Sequence, residues 1–160
     1  MSNSELTPRD EEYLRTIFLL EGKDQAVSPT RLGRQLGISK VSAYQKLRRL
    51  EVLGAGSYLP RKGFLLNTRG LTLAQGDIHR HHILEKFFQD ELGFSSEEAC
   101  RESARMGPTV STQLLESISD KLGDAISCDC GCCLNPPYEP GDLVNCHWCK
   151  MNMSKGLVYK

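Results

Sequence analysis

Apolar residues recur along this chain at helical spacing in most places and as short paired runs in one. Tyr13, Leu14, Ile17, Phe18 and Leu20 share a face, the stripe of an amphipathic helix. Thr7-Pro8-Arg9-Asp10 ahead of them supplies a cap, a proline at the first turn and an acid that completes a capping box. A second stripe, Leu32 and Leu36, follows Ser28-Pro29 and stops at Gly37, and a third, Tyr44, Leu47 and Leu50, follows Ser39. Two short helices joined by a tight turn are expected, with Ser28 and Ser39 as caps and Gly37 as the left-handed exit. Between Ser57 and Leu66 two apolar runs bracket Pro60-Arg61-Lys62-Gly63, the pattern of a β-hairpin.

Beyond the hairpin the pattern is again helical. Thr68 is placed to cap a long helix reaching Leu92, with Gly70 and Gly76 weakening it. Ile78, Ile83, Leu84, Phe87 and Phe88 give that helix a broad apolar face. Gly93-Phe94-Ser95 ends it, and Ser95 or Ser96 opens another helix with Glu97 and Glu98 in its first turn. A last stripe, Leu114, Leu115 and Ile118, lies between Ser111 and Leu122. The expected fold is mainly α with a small β wing. A winged helix-turn-helix DNA-binding domain covers 1–70, a helical dimerisation domain 71–126 and a cysteine-rich module 127–160. Three helices are too few to bury these faces alone, so a homodimer is expected, which also sets two reading heads on a palindromic site.

Composition adds limits. A chain of 160 residues, 39% hydrophobic and 25% charged, fits an ordinary globular protein of one or two domains. No apolar run spans a bilayer and the N-terminus lacks an export pattern, so a cytoplasmic protein without a membrane partner is expected. The net charge is zero, yet from Ser28 to Thr72 there are nine Lys and Arg against one acid, Glu51. A local excess of that size suits phosphates. The residues proposed to face double-stranded DNA are Arg31, Ser39, Lys40, Ser42, Gln45, Lys46, Arg48 and Arg49, with Arg61 and Lys62 from the hairpin. Hydroxyls and an amide come first and cations later, the order in which a recognition helix meets base edges and then backbone. The competing reading is a helical hairpin with a solvated basic face.

Seven cysteines are present, and six of them, Cys128, Cys130, Cys132, Cys133, Cys146 and Cys149, fall within twenty-two residues. Clustered thiols in a chain expected to be cytosolic favour metal ligation over disulfides. An iron–sulfur cluster or a zinc ion are the candidates, with a thiol–disulfide switch as a further alternative. The Cys-x-x-Cys pair lacks the strand-then-helix context of a redox enzyme, and no enzymatic function is expected.

From Glu12 to Pro137 the chain resembles the iron-dependent repressors of the diphtheria toxin repressor and manganese transport regulator type. The resemblance is carried by Glu12-Tyr13-Leu14-Arg15-Thr16-Ile17-Phe18, the pair of helices from Val27 to Glu51, Gly63-Phe64-Leu65-Leu66-Asn67 and His79-Arg80-His81-His82-Ile83-Leu84-Glu85. It implies a homodimer that binds operator DNA when a divalent metal such as iron or manganese is held. It also implies that part of the family's ligand set is lost, with Ala104, Gly107 and Pro108 at ligand positions. Glu12, His81, Glu85 and Cys100 remain as a residual metal site, and sensing moves toward the cysteine-rich end. The alternative is a zinc-stabilised or metal-independent interaction protein derived from such a repressor.

Overall fold

The computed structural model describes residues 5–123 and 136–140, which fall into two compact units, one up to Ala74 and one from Gln75 onward. The first unit opens with α1 (Pro8–Leu19). Thr7 caps it, and the Asp10 carboxylate accepts from the Thr7 backbone N–H in return, so the expected capping box is formed. Helices α2 (Pro29–Leu36) and α3 (Lys40–Val52) follow, capped by Ser28 and Ser39, with Gly37 left-handed at φ 66° between them. Strands β1 (Gly56–Leu59) and β2 (Gly63–Leu66) pair antiparallel, Tyr58 opposite Phe64. Val27 adds a backbone bridge to Phe64, which fastens the start of the helix pair to the hairpin. Leu14, Ile17, Phe18, Leu32, Leu47, Leu50 and Phe64 are fully buried and form the core of this unit.

Two sequence expectations are corrected here. Tyr44 is 44% exposed, and Ala43 takes the inward place with Leu47 and Leu50. Spacing of four and then three from Ala43 completes the stripe better, and the small side chain lets α3 approach its neighbours closely. The long helix α4 (Thr68–Leu92) is capped by Asn67 rather than Thr68: the Asn67 Oδ1 accepts the Gly70 N–H at 2.9 Å.

The second unit holds the remainder of α4, then α5 (Ser96–Met106), a short 3-10 turn (Gly107–Thr109) and α6 (Thr112–Leu122). Ser95 and Glu98 make a second capping box, and Ser111 caps α6. Ile83, Leu84, Phe88, Ala99 and Ile118 form this unit's core, ringed by half-buried Phe87, Phe94, Val110, Leu115 and Leu122. No helix among the described residues is long and apolar enough to cross a membrane.

Candidate nucleic-acid interface and metal centre

The exposed face of α3 is set by its inward stripe. With Ala43, Leu47 and Leu50 buried, Lys40, Val41, Tyr44, Gln45 and Arg48 stand outward, Val41 at 66% exposure. The Ser39 Oγ is occupied at the N-terminus, accepting the Ser42 N–H and donating to the Ser42 Oγ, both at 3.0 Å. These hydroxyls shape the helix start as well as face outward. Tyr44 meets Tyr58 of the wing edge to face at 5.2 Å, and Arg48 lies over the Tyr58 ring at 5.9 Å. Glu51, the lone acid of the basic stretch, accepts the Tyr58 N–H at 2.9 Å and pairs with Arg48 at 2.8 Å. It therefore anchors β1 to the helix. Thr30, Lys40, Val41, Tyr58, Arg61 and Lys62 line the groove between α3 and the hairpin turn. Arg31, Arg61 and Lys62 are exposed, and Arg61 sits at φ 63° in the turn.

Two of the expected cations are turned elsewhere. Arg49 pairs with Asp10 through Nε and Nη2, each at 2.9 Å, and donates to the Glu5 carbonyl. Burial alone would raise the Asp10 carboxyl, but the bonds from Arg49 and Thr7 outweigh it and hold the group below the usual range. The Arg49 guanidinium is raised by the same bond. Lys46 is half-buried with its ammonium 6.0 Å from the Tyr13 ring. The sequence reading passed over Val41 and Tyr44 on the open face. The signal was present in the three-and-four spacing from Gln45 and Arg48.

In the second unit α4 and α5 bring donors together. His81 and Glu85 lie one turn apart on α4, and Cys100 is on α5. His81 Nε2 is 3.6 Å from Cys100 Sγ and 3.7 Å from Glu85 Oε2, and one donor atom from each residue fits within 4.8 Å of the others. All three are buried. Ligand lengths of about 2.0–2.3 Å put the edges of a tetrahedral site at about 3.4–3.6 Å, so the His81–Cys100 and His81–Glu85 separations suit a divalent transition ion. A nitrogen, an oxygen and a sulfur suit zinc or iron(II) better than magnesium. The resemblance also offers Glu12, whose carboxylate pairs with Arg9 in the first unit. The six clustered cysteines, Cys128, Cys130, Cys132, Cys133, Cys146 and Cys149, lie outside the described residues.

Comparison with known proteins finds a matching family model for each half of the chain. The iron dependent repressor N-terminal DNA binding domain matches residues 5–64, and the iron dependent repressor metal binding and dimerisation domain matches residues 67–133. The chain belongs to the iron-dependent repressor family. Within that family it is 35% identical over 106 residues to the transcriptional regulator MntR of Salmonella typhimurium, covering 66% of this chain and 65% of that protein. An uncharacterised HTH-type transcriptional regulator of Methanocaldococcus jannaschii is 25% identical over 109 residues, 68% of this chain and 87% of that one. A solved manganese-dependent transcriptional repressor in complex with manganese superposes with a TM-score of 0.66 at 27% identity, over 79% of this chain and 58% of that chain. The chain thus spans little more than half to two thirds of the length of two of these repressor relatives. Iron-dependent repressors are built as this chain is built, a winged helix-turn-helix followed by a helical unit.

Proposed function

We propose that this chain is a metal-responsive, DNA-binding transcriptional repressor that acts as a homodimer on a palindromic operator. The observation that carries the reading is the buried His81–Glu85–Cys100 group, two of its donors on α4, which begins directly after the wing, and the third on α5. A divalent metal held there would add a cross-link between α4 and α5 to the His81–Cys100 contact that already joins them. His81 and Glu85 present their donors from one helical face, and Cys100 closes the group from across the helix pair. On the DNA side Lys40, Val41, Gln45 and Arg48 face the major groove, while Arg31, Arg61 and Lys62 meet phosphates beside it. Arg49 supports the head through Asp10.

Exposed Leu92, Met106 and Leu114 in the second unit give the partner copy an apolar surface to cover. The clustered cysteines belong to the same proposal as a second metal-sensing element, an iron–sulfur cluster with zinc as the alternative, because crowded thiolates are soft ligands. Iron content and visible absorbance of oxygen-free protein test that part: Cys146→Ser is expected to lose both, and a colourless, iron-free preparation overturns the cluster.

Operator binding with and without divalent metal tests the main reading. Footprinting is expected to show protection that strengthens with added iron(II), manganese or zinc and that His81→Ala abolishes. Protection unchanged by metal and by His81→Ala would overturn metal control, and no salt-dependent duplex binding at all would overturn the DNA reading.

A further inference from the structure

The three-donor group is backed by residues that do not ligate. His82, the neighbour of His81 on α4, is fully buried and has its Nδ1 3.2 Å from Glu85 Oε2, the same carboxylate oxygen that faces His81. A carboxylate that ligates a metal only accepts, so in that state the Nδ1 would donate its hydrogen to the ligand oxygen. Behind His82 lies Tyr138, 1% exposed, its ring 6.4 Å from the His82 ring. Tyr138 is fastened to α4 at two further points: its carbonyl accepts from Gln75 Nε2 at 3.2 Å and its hydroxyl meets His79 Nδ1 at 3.4 Å. In sequence Tyr138 lies between Cys133 and Cys146. Burying a tyrosine from a proline-rich stretch against a ligand-bearing helix ties that stretch to the helix.

We propose that His82 is a positioning residue for the Glu85 carboxylate and that Tyr138 holds His82 in place, so that metal capture by His81, Glu85 and Cys100 depends on docking of residues 136–140 against α4. The inference rests on the metal reading above. Partners that orient a ligating carboxylate or histidine typically contribute ten- to a hundredfold in metal affinity. Tyr138 carries the effect to the segment between the cysteines. The state of that segment is thereby felt at the ligand cluster.

The test uses the full chain with Cys128, Cys130, Cys132, Cys133, Cys146 and Cys149 changed to serine, leaving Cys100 as its one thiol. Cobalt(II) is titrated, and the thiolate-to-cobalt charge-transfer band reports on Cys100 alone. His82→Leu is expected to weaken cobalt binding about ten- to a hundredfold and shift the visible bands. His82→Asn, whose amide stands where Nδ1 stood, is expected to stay within about threefold of the parent, well tighter than His82→Gln. Tyr138→Ala is expected to lose about tenfold and Tyr138→Phe, which keeps the ring, little. Equal cobalt affinity and spectra across the His82 and Tyr138 series, in a parent that shows the band, overturn this proposal alone. Should His82→Leu fail to fold, equal affinity of the Asn and Gln variants does the same. A parent with no thiolate band overturns the metal reading itself and this inference with it.

Discussion

Arg48 and Arg49 are neighbours with different work. Arg48 is exposed beside the groove and steadied by Glu51 and Tyr58; Arg49 reaches back to Asp10 at the start of α1. Arg48→Ala is expected to weaken operator binding and to reduce the steepness of the salt dependence by about one phosphate's worth. Arg49→Ala is expected to lower the unfolding midpoint and leave that slope unchanged, which fluorescence-anisotropy titrations across salt separate from a thermal melt. The Asp10 carboxyl is held below its ordinary value, so its contribution is complete above the unfolded pKa of about 3.9 and is lost as pH falls through the lower folded value. The stability gap between the wild type and Asp10→Asn is therefore expected to be constant near neutrality and to shrink in acid. Denaturant midpoints measured down the acid range check this, and a gap that stays constant there would refute it.

At the scale of elements, the helix starts were legible because capping is local: Thr7, Ser28 and Ser39 each declare themselves within four residues, and of the pair Ser95 and Ser96 it is Ser95 that caps. The start of α4 was misread because Asn67 and Thr68 are both competent caps and only the path of the hairpin decides between them. Tyr44 was misassigned for a similar reason: its neighbour Ala43 adds little to an apolar pattern, yet a close helix crossing selects it. His81 and Glu85 were legible as a pair four apart. Cys100, nineteen residues away, entered only through the family resemblance. Tyr138 had no period to announce it, being one aromatic among prolines. The two glycines of α4 were read alike and differ. A Cβ on Gly70 would stand 2.0 Å from the Ala55 carbonyl oxygen, whereas one on Gly76 meets nothing within 4 Å. Gly76→Ala is expected to raise stability by up to about 1 kcal/mol through helix propensity alone. Gly70→Ala is expected to lower it, and calorimetry of the two variants gives opposite signs or refutes the close approach.

For the whole molecule, the proposal requires two copies. Leu114 on α6 is 43% exposed and Leu92 54%. Light scattering on a sizing column is expected to give twice the chain mass, and Leu114→Glu is expected to shift the population to monomer and weaken operator binding by more than tenfold, since one head then holds half the contacts. A Leu114→Glu chain that remains dimeric would place the two-fold contact elsewhere.

Asn67 ties two helices with one side chain. Its Nδ2 donates to the Gly54 carbonyl just past α3, its Oδ1 accepts from Gly70 in the first turn of α4, and its own N–H donates to Ala55. The end of one helix and the beginning of the next are therefore geared together by a single amide. Exchanging Asn67 for alanine would remove both side-chain bonds at this join and is expected to loosen it while leaving both helices standing.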